Sequence, residues 1–100
     1  IITLVSFISP FRSERQMAKD LLEKGEFFEV FVSTSLEECE KRDPKGLYKK
    51  ARSGELKNFT GIDSAYEIPE KPDIVLATKT STAEKLADQI INFLRDKKII

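Results

Sequence analysis

A block of basic residues in the middle of the chain is the strongest chemical signal. Residues 41–57 carry seven lysines and arginines against two acidic residues, a local charge of +5 in a chain of zero net charge. Leu47, Tyr48 and Ala51 would give a short helix one apolar edge, so Lys45, Lys49 and Arg52 would project together. Such a basic flap fits a lid that closes over polyphosphate and neutralises the charge that develops during phosphoryl transfer.

Two other interpretations of this basic block stay open. A solvated cationic face is the more common reason for a cluster of lysines. Binding to nucleic acid is the third interpretation, but only Tyr48 and Phe59 supply aromatic rings near the block, and the whole chain is neutral. We therefore expect no nucleic-acid partner.

Ser9 is the first candidate outside the block, because it lies where a predicted strand turns into a predicted helix. At the carboxyl end of a parallel strand, a serine hydroxyl and backbone N–H can bind an anion, and Arg12 follows within one turn. The simpler interpretation is that Ser9 only ends the strand, or caps a helix that has Pro10 at its first position.

Phe59 is the second candidate, since it follows the basic block directly. An exposed ring here would stack on a purine while Asn58 reads the edge of the base. The alternative is that Phe59 and Ile62 anchor a long loop to the core. The single cysteine, Cys39, is expected to be a buried small hydrophobe, so neither a disulfide nor a cysteine zinc site is predicted within the chain.

The elements that must position these residues alternate between strand and helix. We predict strands over 1–9, 27–32 and 73–77, and helices over 13–24, 36–42 and from Ser81 to about Leu94. Ser13 with Gln16, and Ser81 with Glu84, are typical capping boxes. The aromatic and β-branched run 27–32 indicates a strand buried on both faces. The last helix would bury Leu86, Ala87, Ile90, Ile91 and Leu94. This order predicts an α/β layered fold with a largely parallel sheet.

Length and composition restrict the class of protein further. One hundred residues, 40% of them apolar, make room for one small domain. No apolar run reaches the roughly 18 to 20 residues of a membrane helix, and no signal-peptide pattern is present, so we expect an intracellular protein with no membrane partner. The chain opens inside a strand-like run, and three strands are few for a doubly wound sheet. We therefore expect it to lack the N-terminal half of its domain.

Four runs of residues resemble, in the same order, the adenylylsulfate (APS) kinase family. They are Phe7–Pro10, Phe28–Val32, Arg42–Arg52 and Phe59–Ser64. The resemblance extends from about Ile1 to Ile100 and covers the C-terminal half or more of that domain. It implies a three-layer P-loop kinase-like fold, truncated at the N-terminus. It also implies a phosphotransferase that moves the γ-phosphoryl of MgATP to the 3′-hydroxyl of APS, giving PAPS and ADP in sulfate assimilation.

The resemblance also implies roles for individual residues. Ser9 matches the family's phosphoserine position and Lys45 a lid lysine that contacts APS, which makes both of them candidate catalytic residues. In-line transfer between two bound nucleotides needs no covalent relay, so we assign Ser9 to the lining of the APS pocket. The lid is expected over 42–57 and the substrate loop over 58–72. The candidate APS-binding residues are Ile8, Ser9, Arg12, Lys45, Asn58 and Phe59, and the lid and ATP-side candidates are Arg42, Lys49, Lys50, Arg52 and Ser81.

One departure from the family is clear. Glycine occurs only at positions 25, 46, 54 and 61, and none of these begins a G-x-x-x-x-G-K-[ST] phosphate loop. We therefore expect the ligands of Mg²⁺ and of the ATP phosphates to lie outside this chain, no metal site within it, and no activity from the chain alone. ATP and APS are the expected partners, with a homodimer or fusion to an ATP sulfurylase component as further options. The alternative function is a non-catalytic module that binds an adenine nucleotide or an anion.

Overall fold

A computed structural model describes all 100 residues as four helices and one two-stranded sheet. The sheet is parallel, which confirms the predicted α/β class. The longest helix has 14 residues, and none of the four could cross a bilayer. In chain order the elements are α1 (Arg12–Asp20), β1 (Val30–Ser33), α2 (Leu36–Arg42), α3 (Leu47–Arg52), β2 (Ile74–Ala77) and α4 (Ala83–Asp96).

The core lies between β2 and α4. The two strands pair with Val30 opposite Ile74, and every second residue of β2 points toward α4. Ile74, Leu76 and Leu86 are buried there, because an apolar strand next to an amphipathic helix removes both apolar faces from water. Ile90 and Phe93 pack against this cluster, whereas Ala87 and Ile91, also predicted for the buried face, are exposed.

The prediction that the strand over 27–32 is buried on both faces is wrong. Regular pairing begins only at Val30, and the side chains of Val30 and Val32 are 38% and 59% exposed. The reason is that α4 packs on β2, while no helix packs on β1.

The strand predicted over 1–9 is also not formed. These residues make no ladder with β1 or β2, and their large apolar side chains are exposed. A β-prone composition is not sufficient for a strand, because the backbone N–H and C=O groups must also find a neighbouring strand.

Local capping decides the helix ends. Helix α2 begins and ends at the predicted residues, and the Ser35 hydroxyl accepts the N–H of Glu38 at 3.2 Å. Helix α4 is capped by Thr82, whose hydroxyl accepts the N–H of Lys85 at 3.3 Å, so the predicted Ser81 cap is wrong by one residue.

Helix α1 is shorter than predicted and lacks its predicted capping box. It ends at Asp20 instead of residue 24, and Phe11 precedes it without a side-chain cap. Gln16 donates to Asp20 at 2.8 Å and makes no hydrogen bond to Ser13. The N–H of Arg12, the first helical residue, finds the carboxylate of Glu67 at 2.8 Å instead. A long-range partner thus takes the place of the local cap.

Candidate functional site

The Phe59 loop, residues 58–64, is built on one carboxylate. Asp63 accepts the N–H of Asn58 at 2.8 Å and the N–H of Phe59 at 2.5 Å. The Phe59 carbonyl in turn accepts three N–H groups, from Ile62 to Ser64, at 3.1–3.2 Å. Asn58 has φ = 56°, in the left-handed region that asparagine tolerates better than most residues. The loop is therefore a closed turn that fixes the backbone beneath the Phe59 ring.

Gly61 brings this loop against α2. Its φ is +92°, and a Cβ at this position would lie 3.0 Å from Cδ1 of Leu36. Any other residue would therefore meet both an unfavourable backbone conformation and a close side chain. The glycine of the Phe-Thr-Gly-Ile run thus allows the loop to approach the helix that precedes the lid.

The Phe59 ring packs on Tyr48 of α3, the helix within the predicted lid. The ring centroids of Phe59 and Tyr48 are 4.9 Å apart with an interplanar angle of 73°, an edge-to-face contact. Phe59 is half-buried. Burial, followed by a hydrogen bond to Cys39, raises the pKa of the Tyr48 hydroxyl above its ordinary value of 10.0. The substrate loop and the predicted lid are thus in direct contact through their aromatic side chains.

Helix α3 lies inside the segment predicted as the lid. The carboxylate of Asp43 accepts the N–H groups of Tyr48 and Lys49 at 3.0 and 3.1 Å, so it caps the first turn from outside the helix. Gly46, with φ = 67°, lets the chain turn between α2 and α3 as predicted. Ala51 is the buried residue of the predicted apolar edge.

The basic side chains of this segment form two sets. Lys45, Lys49 and Lys50 are exposed and lie in no ion pair within 4.0 Å. Arg52 does not project with them, because it donates two hydrogen bonds to the Glu40 carboxylate of α2, at 2.5 and 3.2 Å. The hydrogen bond and charge of Arg52 lower the pKa of Glu40 below its ordinary value of 4.5. Arg52 is thus a tether between α2 and α3.

Arg42, the last residue of α2, reaches the loop before α4. Its Nε donates to the Glu38 carboxylate at 2.9 Å and its Nη2 donates to the carbonyl of Thr78 at 3.2 Å. The Thr78 hydroxyl donates in turn to the carbonyl of Ser33 at the end of β1, at 3.1 Å. Ser81 lies in the same loop and is exposed. The structure therefore places Arg42 on the loop that contains Ser81, another of the lid and ATP-side candidates.

The Ser9 corner, residues 8–12, is held by a distant segment of the chain. Ser9 has φ = 42°, and its carbonyl accepts Nη1 of Arg15 at 2.5 Å. The carbonyl of Pro10 accepts the N–H of Glu67 at 2.7 Å. Ser9 is half-buried, whereas the side chain of Ile8 is 68% exposed.

Arg12, predicted as an anion ligand, already uses part of its guanidinium to bind the segment after Glu67. Its Nε donates to the carbonyl of Ile68 at 2.9 Å, and its Nη1 lies 3.6 Å from the Glu70 carboxylate. About half of the side chain, 48%, remains exposed. No hydrogen bond or ion pair links Ser9 or Arg12 to the Phe59 loop or to Lys45, so the site residues form two groups that the chain between 64 and 67 connects.

Arg15 and Glu67 are the residues that the sequence reasoning missed. Arg15 Nη2 donates to the carbonyl of Glu67 at 2.6 Å across 52 residues of sequence, a separation at which no spacing rule operates. One signal was available. Arg12 and Arg15 lie in the first turn of a helix, where positive charge is unfavourable to the helix dipole, so partners elsewhere are needed to hold them.

Comparison with known proteins points to one family. A family model described as adenylylsulphate kinase matches residues 1–77. An adenylyl-sulfate kinase of Vibrio cholerae is 57% identical over all 100 residues, which cover 46% of that protein. The bifunctional enzyme NodQ of a Rhizobium species is 56% identical over 99 residues, 15% of its length.

Solved structures give the same result. An APS kinase of Mycobacterium tuberculosis, solved in complex with AMPPNP and APS, superposes with a TM-score of 0.80 at 45% identity, covering 89% of this chain and 52% of that one. The chain thus spans about half the length of the adenylyl-sulfate kinases it matches. The family model matches more than three-quarters of the chain, and several relatives match all 100 of its residues at more than 50% identity. The chain therefore belongs to the adenylylsulfate kinase family.

Proposed function

We propose that this chain forms the APS-binding side and the lid of a phosphotransferase that moves the γ-phosphoryl of ATP to the 3′-hydroxyl of APS. The observation that carries the proposal is the packing of the Phe59 loop against the lid helix, within a chain similar to a kinase solved with AMPPNP and APS. The products are PAPS and ADP, and the pathway is sulfate assimilation. The compartment proposed is the cytoplasm.

The APS pocket has two walls in this proposal. Phe59 stacks on the adenine of APS, and Asn58 hydrogen-bonds its edge. Ile8 and Ser9 line the other wall, where the exposed half of Arg12 contributes positive charge toward the sulfated phosphate. Lys45 closes over the same nucleotide from the lid. No covalent step at Ser9 is required, because the 3′-hydroxyl attacks the γ-phosphorus in line.

The exposed lysines of the lid neutralise charge during transfer. As the bond between the 3′-oxygen and phosphorus forms and the bond to ADP breaks, the 3′-hydroxyl loses its proton to a base that we assign outside these 100 residues, and negative charge is spread over the equatorial oxygens and builds on the leaving oxygen of ADP. Lys49 and Lys50 have no carboxylate partners within the chain, so their charges are available for this role. Arg42 and the loop with Ser81 face the base of ATP, and Arg52 keeps the lid helix on α2.

The phosphate loop for ATP is assigned to residues outside these 100. No cluster of three or more acidic or thiol side chains that could hold a metal ion is present among these residues. We assign the protein ligands of the Mg²⁺ that accompanies ATP, with the phosphate loop, to residues outside these 100. One relative, NodQ, is named as a bifunctional enzyme, which supports fusion to a second activity as one arrangement. The second activity that we propose for such a fusion is an ATP sulfurylase component.

A chimera tests this function. These 100 residues replace the segment that they match in the Vibrio cholerae adenylyl-sulfate kinase, with 57% identity limiting the disturbance at the junction. We expect ATP-dependent conversion of APS to PAPS, measured by coupled ADP release, at a rate within about tenfold of the parent enzyme. The isolated chain should show none. A folded chimera that binds APS and ATP without forming PAPS would instead favour the non-catalytic binding module.

Phe59→Ala in the chimera tests the pocket itself. Base–aromatic stacking contributes about 1–3 kcal/mol, so the KM for APS should rise about 5- to 150-fold, while the KM for ATP stays within about twofold. Phe59→Tyr keeps the ring and is the matched control. Equal losses for the two nucleotides would contradict the assignment of Phe59 to APS.

A further inference from the structure

Arg15 connects three parts of the chain through one nearly buried guanidinium group. Its side chain is 10% exposed, and its two terminal nitrogens donate to the carbonyls of Ser9 and Glu67 at 2.5 and 2.6 Å. Its Nε lies 3.6 Å from the carboxylate of Glu29, just before β1. Because a guanidinium presents its donors in one rigid plane, these contacts fix the relative positions of the groups that accept them.

The ring of Tyr66 lies against one face of the Arg15 guanidinium. Its central carbon lies 5.7 Å from the ring centroid of Tyr66, and Tyr66 stacks on Phe31 of β1 with centroids 6.5 Å apart and planes at 20°. Arg15 is therefore in contact with an aromatic pair that belongs partly to the sheet. Its orientation is set by packing as well as by hydrogen bonds.

The Ser9 corner needs this support. Ser9 is not glycine, yet its φ is +42°, a conformation that persists only where the surroundings hold it. The hydrogen bond from Arg15 to its carbonyl is one restraint, and the bond between the Pro10 carbonyl and the N–H of Glu67 is the other. Both restraints lead to the segment that follows the Phe59 loop.

We propose that Arg15 is a positioning residue for the APS pocket. Arg15 holds the carbonyls of Ser9 and Glu67 close together. Because Glu67 follows the end of the Phe59 loop by three residues, this contact fixes the separation between the pocket wall at Ser9 and the wall at Phe59. Arg15 touches neither nucleotide and acts through Ser9 and Glu67. This inference rests on the proposed function, since it takes Ser9 and Phe59 as the two walls of one pocket.

Arg15→Lys in the chimera is the test. Lysine keeps the charge but cannot donate to two carbonyls in one plane, so the separation of the two walls is no longer fixed. We expect the KM for APS to rise about tenfold, with the KM for ATP within about twofold of the unsubstituted chimera. A purely structural role would lower the melting temperature and change both KM values alike. Arg95→Lys, the same substitution at an exposed position of α4, is the control and should change neither.

The outcomes separate this inference from the proposed function. If the unsubstituted chimera forms PAPS and Arg15→Lys leaves its KM for APS unchanged, the inference about Arg15 is overturned while the proposed function stands. An unsubstituted chimera that forms no PAPS would overturn both. Should Arg15→Lys fail to fold, Tyr66→Leu removes the ring beneath the guanidinium, together with its stacking on Phe31, and keeps Arg15 itself. A two- to threefold rise in the KM for APS alone would then support the inference, and no change would overturn it.

Discussion

Residues 1–9 and residues 35–64 differ in where their backbone hydrogen bonds go. In the second segment, Ser35, Asp43 and Asp63 each accept backbone N–H groups from residues three to six positions away. In the first, no residue before Ser9 makes a backbone hydrogen bond, and Ser9 itself is held by a side chain. Short polar side chains thus build α3 and the Phe59 loop from local chemistry, whereas a strand needs a neighbour.

The comparison also separates two kinds of site residue. The Phe59 loop contains its own capping carboxylate, and α3 is capped by the nearby Asp43, so the shape of both is specified within about 30 residues of sequence. The Ser9 corner depends on Arg15 and Glu67, which meet across 52 residues. In the proposed APS pocket, the wall at Phe59 should therefore respond to local substitutions and the wall at Ser9 to long-range ones.

The largest expected effect is on residues 1–8. In the isolated chain we expect their amides to exchange at unprotected rates, because they have no hydrogen-bond acceptors. Within the chimera, where the remaining half of the enzyme is present, exchange should slow by about a thousandfold or more. Hydrogen exchange followed by mass spectrometry measures both. Equal protection in the two proteins would show that this segment forms its structure without a partner.

The isolated chain should also melt without a sharp transition. Only four of its 100 residues are buried, and its radius of gyration of 15.5 Å exceeds the roughly 13 Å of a compact domain of this length. We expect a broad thermal transition by circular dichroism, with association visible by sedimentation. A cooperative two-state transition of a monomer would contradict this expectation.

Asp63→Ala sharpens the comparison at the Phe59 loop. The substitution removes two charge-assisted hydrogen bonds and leaves Asn58 at a positive φ, at a cost of about 2 kcal/mol to the loop. In the chimera the KM for APS should rise about tenfold. Asp88→Ala, at an exposed position of α4, is the matched control. An unchanged KM for APS would mean that the loop keeps its shape without the carboxylate.

Asp43→Ala should have a smaller and more local effect. Loss of a capping side chain costs about 1 kcal/mol, so the amides of Tyr48 and Lys49 should exchange about fivefold faster in the chimera. Exchange in α4 serves as the internal control. Uniform acceleration across the protein would indicate global destabilisation instead of a lost cap.

The smallest effect concerns the pair of Glu40 with Arg52. Because the folded protein lowers the pKa of Glu40, the pair contributes stability above the ordinary value of 4.5 and loses it as the pH falls through the lower, folded value. The stability advantage of the unsubstituted chimera over Glu40→Gln should therefore decrease below about pH 4.5. Glu37→Gln is the control, because Glu37 is an exposed residue of α2 that makes no ion pair with Arg52. An advantage that is independent of pH would exclude the pair as its cause.

The elements that could be predicted from the sequence are those held by local contacts. Helix α2 was predicted to the residue, and β2 to within one, since a local cap or a short apolar run specifies them. The cap of α4 is Thr82 and not the predicted Ser81, because two adjacent hydroxyl residues are nearly equivalent as N-caps in the sequence. The strand over 1–9 and the double burial of β1 required neighbours that no residue within the chain supplies.

For the site, the predicted bend at Gly46 and the apolar edge at Ala51 are present, whereas the tether made by Arg52 and the bonds made by Arg15 were not foreseen. Each of these depends on a carboxylate or carbonyl whose position is set by folding. Residue type indicates that an arginine needs acceptors, but it does not indicate which ones.

Arg42 offers a last consequence. Its guanidinium is bound at its edges by Glu38 and the Thr78 carbonyl, while about half of the side chain, 49%, still faces solvent. A flat heterocycle that stacks on this guanidinium would meet a side chain whose conformation is already fixed. Binding would therefore cost little side-chain conformational entropy, and a larger part of the contact energy would contribute to affinity.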